Sequence, residues 1–141
     1  MSEKDELPSK PSYIGVPAVF KLEQCCNIIN KSYGGFGCYL VGSSLSKPDW
    51  RDVDIRFIMT DEEFIREFPN VAVRDGKPVA ALWEHDAKWT LLVVAISDWM
   101  KAYTGLPVDF QFQPMSWANS RYGSDEHIRN AMGLTFASNQ D

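Results

Sequence analysis

The feature that most constrains this chain is a strand-like segment in which two aspartates alternate with apolar residues. Residues 52–55 read Asp-Val-Asp-Ile, and they follow an apolar segment that ends in the turn residues Gly42 and Ser43. Residues two apart on a β-strand share a face, so Asp52 and Asp54 are predicted to point the same way while Val53 and Ile55 enter the core. Two like charges side by side need a cation.

A later strand-like segment supplies a third carboxylate. Residues 106–112 are mostly apolar, and Asp109 lies between Val108 and Phe110. If this segment lies beside the first, its aspartate joins the other pair. Carboxylate oxygens are the ligands that divalent cations prefer, and such cations handle phosphates in many enzymes. The sequence therefore predicts a divalent-metal site built from Asp52, Asp54 and Asp109.

Length and composition indicate one globular domain. The chain has 141 residues, of which 45% are hydrophobic and 13% aromatic. It has no apolar run of about 20 residues that could cross a membrane. Residues 1–12 are charged and Pro-rich, which predicts a disordered arm rather than a signal peptide, followed by one domain over residues 13–141. We expect a cytoplasmic location and no membrane partner.

Charge narrows the classes of partner. The net charge of −5 is unfavourable for nonspecific binding to duplex DNA, which depends on neutralisation of phosphates by Lys and Arg. A nucleotide that arrives with its own metal ion is still compatible with this charge. The three cysteines have no paired spacing, so we expect reduced, mostly buried thiols.

Periodicity and turn residues predict an alternation of helices and strands. A helix is expected from Pro17 to Gly34, a strand over 36–41 and a second over 52–59. Thr60 and Glu63 match a capping box that opens a short helix. A long helix over about 83–103 and a third strand over 106–112 follow. These elements predict an α/β (α+β) domain with a mixed, twisted sheet of three to five strands flanked by two main helices.

The remaining segments give weaker signals. Residues 70–81 are compatible with a small hairpin that turns at Asp75 and Gly76, or with a loop, because Pro78 disfavours a central strand. Residues 115–122 are predicted to be irregular. A short helix is expected from Ser124 through Met132, with a frayed end after it.

Taken together, the motifs resemble those of the nucleotidyltransferase superfamily of the DNA polymerase beta type. The motif of that family is an apolar residue, Gly and then Gly or Ser, followed after roughly ten residues by two alternating acids. It matches residues 41–43 and 52–55, and the family's third carboxylate on a later strand matches Asp109. The resemblance covers about residues 35–113, which implies a minimal, single-domain member with a nucleotidyltransferase-like sheet.

The resemblance implies roles for particular residues. Asp52, Asp54 and Asp109 would coordinate Mg²⁺ (or Mn²⁺), and Asp109 would also help to deprotonate the attacking hydroxyl. The Gly42 turn, with the amides around Ser43 and Ser44 and the ammonium of Lys47, is expected to hold phosphate oxygens, although Pro48 prevents a long helix there. Arg56 is expected either to meet a phosphate or to pair with Asp54. Gln111 and Gln113 share the face of Asp109 and are expected to contact sugar or base.

The working hypothesis is magnesium-dependent transfer of a nucleotidyl group from a nucleoside triphosphate to a hydroxyl acceptor on RNA, protein or a small molecule. The main alternative is a catalytically weak, nucleotidyltransferase-like module with a regulatory or antitoxin-type binding role. A carboxylate-metal phosphohydrolase or nuclease is a third possibility. The aspartates favour the enzyme, whereas the shortened continuation after Gly42 and the lack of a separate substrate domain favour the binding module.

Overall fold

The computed structural model describes residues 12–122 and 128–134. Its helices are α1 (Ala18–Ser32), α2 (Ser43–Ser46), α3 (Asp61–Glu67), α4 (Ala87–Thr104) and α5 (Met115–Arg121), with a 3-10 turn at Leu82–His85 before α4. Its strands are β1 (Gly37–Val41), β2 (Val53–Met59), β3 (Val73–Arg74), β4 (Lys77–Pro78), β5 (Val108–Pro114) and β6 (Asn130–Met132). The predicted fold class, a mixed α and β domain, is confirmed.

The main sheet has four strands in the order β5-β2-β1-β6. Strand β2 pairs in parallel with β5, while β1 pairs antiparallel with both β2 and β6. The sheet is therefore mixed, as expected. A separate two-stranded hairpin, β3 and β4, turns at Asp75 and Gly76, which both have positive φ.

Local sequence signals explain several helix ends. Thr60 and Glu63 form both bonds of the capping box that opens α3. The Asp86 side chain accepts from the Trp89 backbone N–H and caps α4, which ends at Gly105 with φ of 75°. A residue with positive φ is a frequent helix terminator, and glycine adopts it without strain. These ends place α4 directly before β5, the strand that carries Asp109.

The two faces of the sheet have different coverings. Apolar residues of β2 and β5 such as Ile55, Phe57 and Phe112 are buried in the main core, which also takes in residues of α1 and α4. On the opposite face, Ala118 of α5 and Tyr122 pack with Val41 and Ile58 over only part of the sheet. The uncovered part of this second face carries polar side chains from β2 and β5. Because apolar and polar residues alternate along β2 and β5, one face of these strands forms the core and the other forms the candidate site.

Helix side chains bond to backbone groups at both edges of the sheet. On β5, the Ser97 hydroxyl accepts from the Phe110 N–H at 2.9 Å and the Trp89 indole donates to the Phe112 carbonyl at 3.0 Å. At the β6 edge, Asn27 donates to the Gly133 carbonyl at 2.8 Å and Asn30 donates to the Met132 carbonyl at 2.9 Å. Unpaired backbone groups at a sheet edge can pair with strands of other molecules. These bonds instead give the edge groups partners within the protein.

Some predictions about the elements were wrong. Residues 115–122 were expected to be irregular, but 115–121 form α5, because Met115, Ala118 and Tyr122 recur at helical spacing and pack on the sheet. The helix expected from Ser124 through Met132 is also wrong at its end, since residues 130–132 form β6 and pair with β1. The predicted disordered arm, apart from the buried Ser12, and the frayed end lie outside the described residues, as does Ser124. Within the described residues, no helix is long and apolar enough to cross a membrane.

Candidate functional site

The site begins at the turn that leaves β1. Gly42 has φ of 83°, and a Cβ atom added there would collide with a carboxylate oxygen of Asp54. Both facts require glycine, because other residues rarely adopt this φ and any side chain would displace the aspartate. The predicted glycine turn therefore brings the start of α2 close to Asp54.

Some of the residues that follow Gly42 line the cavity, and one of them is buried in the protein interior. Ser43, Ser46 and Lys47 line the cavity described below, together with Gly42. Ser44 is fully buried, and its backbone carbonyl accepts from the Tyr13 N–H at 2.8 Å. Of the four residues predicted to hold phosphate, Gly42, Ser43 and Lys47 line the cavity, and Ser44 is buried beneath the turn. Helix α2 has only four residues, in agreement with the limit set by Pro48.

Asp54 and Asp109 face each other across two parallel strands. They are paired in the register of β2 and β5, so about 4.8 Å separates their strands. The Arg56 side chain, only 10% exposed, lies between them: its Nη2 is 3.4 Å from Asp109 Oδ2 and 3.9 Å from Asp54 Oδ1. Its Nη1 donates to the Asp109 backbone carbonyl at 2.7 Å. Of the two readings of Arg56, the ion pair is the one observed, and it includes both aspartates.

The surroundings of Asp54 disfavour its charged form. Burial raises the pKa of this carboxyl above its ordinary value, and the nearby charges of Asp109 and Asp52 raise it further, while the Arg56 guanidinium lowers it. Burial is the largest cause, and the two acids act in the same direction. A half-buried carboxylate with a raised pKa and two acidic neighbours is typical of functional sites, where a cation or a substrate completes the charge balance.

Asp52 is placed differently from the prediction. Strand β2 begins at Val53, so Asp52 lies in the exposed loop before it. It lines, with Asp109 and Lys101, a groove of about 440 Å³ beside α4, whereas Asp54 lines the main cavity. Its charge still raises the pKa of Asp54. Asp54 and Asp109 therefore lie at paired strand positions, while Asp52 lies one residue before β2 and lines a groove with Asp109.

The main cavity has a volume of about 520 Å³ and lies over the partly covered face of the sheet. Its cationic side chains are Lys47, Arg56 and Arg121, and its anionic ones are Asp54 and Glu84. Since ligand sites of small molecules commonly have volumes of about 300–1,000 Å³, the cavity has the size for one nucleotide. Three cations against two anions also suit an anionic ligand.

The far wall of the cavity is aromatic and amide-rich. Gln111 and Gln113 line it from β5, and Trp83, Trp117 and Tyr122 line it from the 3-10 turn and α5. Gln111 was predicted, whereas the aromatic residues and Arg121 were missed. The sequence contains one signal for two of them, since Arg121 follows Trp117 by four residues, which brings the side chains together if the segment is a helix. In the structure the Arg121 guanidinium lies 5.9 Å from the centre of the Trp117 indole ring.

The donor set at the paired aspartates can be compared with what a divalent cation needs. The described residues contain no group of three or more His, Cys, Asp or Glu side chains arranged to hold a metal. Mg²⁺, however, commonly takes one or two carboxylates and completes its shell with waters and substrate phosphates. Asp54 and Asp109 fit that pattern. A cation between them has to displace the Arg56 guanidinium or share the carboxylates with it.

Comparison of the chain with protein-family models, with curated proteins and with solved structures finds no match in any of the three. The function proposed below therefore rests on the paired aspartates, the glycine turn and the cavity.

Proposed function

We propose that this protein binds a nucleoside triphosphate together with Mg²⁺ or Mn²⁺ and transfers the nucleotidyl group to a hydroxyl acceptor. The observation that carries the proposal is the pairing of Asp54 with Asp109 on neighbouring strands, where Asp54 lies against the glycine turn and lines a cavity of nucleotide size. Mg²⁺ held by these two carboxylates, with Asp52 in the groove beside Asp109, would stabilise the charge that develops on the phosphate oxygens.

The residues of the chain have separate tasks in this proposal. Lys47 and the backbone at Ser43 bind phosphate oxygens at the start of α2. Arg56 orients Asp54 and Asp109 and neutralises part of their charge before the ligand arrives. The carboxylate of Asp109, with a side chain that is 47% exposed, is open to an acceptor. It takes the proton of the attacking hydroxyl.

The bonds and charges of the transfer balance as follows. The acceptor oxygen forms a bond to the α-phosphorus, the bond from that phosphorus to the bridging oxygen of the β-phosphate breaks, and pyrophosphate leaves. The acceptor proton passes to Asp109, and no covalent enzyme intermediate is needed. The acceptor class, whether RNA, protein or small molecule, is part of the test.

A second candidate function is a regulatory or antitoxin-type binding module that retains the site without turnover. The observation that favours it is the Arg56 guanidinium, which lies within ion-pair distance of both carboxylates and already offsets part of their charge without a metal. In this case the protein binds a triphosphate, or a protein partner, but transfers nothing.

The deciding experiment incubates the protein with α-labelled triphosphates, Mg²⁺ or Mn²⁺, and candidate RNA, protein and small-molecule acceptors. Transfer predicts label on an acceptor and release of pyrophosphate, both lost in Asp54→Asn. Titration calorimetry of the same samples with Mn²⁺ should show binding to the parent that Asp54→Asn weakens strongly. Triphosphate binding without transfer would favour the regulatory module, and no triphosphate binding in the presence of metal would refute a nucleotide function.

A further inference from the structure

The far wall of the main cavity contains a buried side-chain amide, that of Gln113, whose hydrogen bonds are incomplete. Gln113 is 4% exposed, and among the described residues its side-chain oxygen has no hydrogen-bond partner. Its amide nitrogen donates to the Gln111 side-chain oxygen at 3.4 Å, which is long for such a bond. A buried polar atom without a partner destabilises the folded protein, so a ligand that donates a hydrogen bond to this oxygen gains affinity.

The position of the two glutamines on the strand relates them to the aspartates. Gln111 and Gln113 lie two and four residues beyond Asp109 on the same face of β5, so their Cα atoms are roughly 7 and 13 Å farther along it. Asp54, Lys47 and both glutamines line one cavity, so a ligand with its phosphates at Asp54 and Lys47 can place its other end near these amides. Trp117 and Tyr122 also line this cavity, and aromatic side chains can pack against a planar ring.

On this basis, and dependent on the proposed nucleotide function, we propose that Gln113 is the base-recognition residue and that its side-chain oxygen accepts an N–H from an exocyclic amino group. The oxygen is recessed, so the ligand atom that meets it has to protrude from the ring. Exocyclic groups protrude, and of the two common ones the amino group donates, whereas the oxo group presents a second acceptor and is repelled.

One of the two N–H groups of the Gln113 amide donates to Gln111, and the amide oxygen is the atom without a partner among the described residues. The terminal torsion of a glutamine side chain is soft, and Gln113 lines the cavity, so a small rotation about that torsion presents the oxygen to a ligand there. A paired carboxamide of this kind is suited to adenine, which glutamine also recognises through its amino group in the major groove of DNA. The chemical class predicted is thus an amino-bearing base, adenine or cytosine.

The test compares bases that carry an exocyclic amino group with matched bases that carry an oxo group, which also have a proton on the adjacent ring nitrogen. Titrations in the presence of Mn²⁺ should show that adenosine triphosphate binds about tenfold more tightly than inosine triphosphate, and cytidine triphosphate more tightly than uridine triphosphate. Gln113→Met keeps the length of the side chain and removes the acceptor, so the two ratios should fall to within about twofold. Gln113→Glu keeps an acceptor and should retain the preference. Lys47→Ala should weaken all four ligands equally.

The outcomes separate this inference from the proposed function. Triphosphates that bind with equal affinity whatever their exocyclic group would overturn the role of Gln113 and leave nucleotide binding intact. A protein that binds no triphosphate would overturn both. If Gln113→Met does not fold, the ratios measured with the unaltered protein still decide, together with the side-chain amide resonances of Gln113, which should shift with adenosine triphosphate and not with inosine triphosphate.

Discussion

Asp54 is the residue where folding and the proposed function conflict most clearly. Its side chain is 23% exposed. Burial raises the pKa of its carboxyl, and the charges of Asp109 and Asp52 raise that pKa further. Arg56 offsets this effect in part. A group of this kind reduces stability when it is charged, and the cation of the proposed function would offset that cost.

We expect Asp54→Asn, in the presence of a chelator, to be at least as stable as the parent protein at pH 7. Because the folded pKa of Asp54 is raised, the proton it binds stabilises the folded state below the ordinary pKa of about 3.9, and this contribution is lost as pH rises through the folded value. The stability gained by the variant should therefore increase with pH across that window and then level off. Urea denaturation at several pH values measures it, with Asp98→Asn as a control for the loss of one exposed charge. A large loss of stability at pH 7 would mean that the bond to Arg56 is structural.

At the level of elements, the edges of the sheet depend on side chains far away in sequence. The Ser97 hydroxyl of α4 accepts from the Phe110 N–H and also donates to the Phe110 carbonyl at 3.4 Å. At the other edge, the Asn30 side chain of α1 joins the Met132 carbonyl to the Cys38 N–H. The position of β5, and with it that of Asp109, therefore depends on α4.

Ser97→Ala should lower the free energy of unfolding by about 1–3 kcal/mol, because it leaves a buried N–H of β5 without its partner. Urea denaturation followed by circular dichroism gives the value. Ser120→Ala is the matched control: its hydroxyl is exposed and donates to the Trp117 carbonyl, so its effect should stay within about 0.5 kcal/mol. An equally small effect of Ser97→Ala would show that water replaces the hydroxyl at the edge of β5.

The elements also show how far the sequence alone could lead. Alternation predicted the faces of β2 and β5, and Gly42 and the capping box at Thr60 predicted two turns, because each of these signals is local. Strand β6 has only three residues and is fixed by bonds to α1 from more than 100 residues away, which no local pattern carries. Helix α5 and the aromatic residues on it were missed for a different reason: the helix has only seven residues, too few for their spacing to distinguish a helix from a loop. Strand β2 starts at Val53 rather than at Asp52, a difference of one residue, and Asp52 is still near enough for its charge to raise the pKa of Asp54.

For the whole molecule, the sheet separates stability from the candidate site. Residues of β5 alternate between the main core, where Phe112 has no exposure and contacts the rings of Phe57 and Phe68, and the cavity, where Gln111 and Gln113 lie. Substitutions on one face of the same strand should therefore act on stability, and substitutions around the cavity should act on ligand binding.

This separation gives a paired prediction for Phe112→Leu and Lys47→Ala. Phe112→Leu removes ring contacts in the core and should lower the free energy of unfolding by roughly 1–2 kcal/mol, while the folded protein keeps its triphosphate affinity within about twofold. Lys47 is exposed beside the glycine turn, so Lys47→Ala should leave the denaturation curve unchanged. It should also weaken binding of a triphosphate more than that of the monophosphate, because a lost cation matters most where the phosphate charge is greatest. Denaturation curves and titration calorimetry on both variants measure the four quantities. If Phe112→Leu reduced triphosphate affinity as much as Lys47→Ala does, the two faces would be coupled through the backbone of β5, and the core would have to be counted as part of the site.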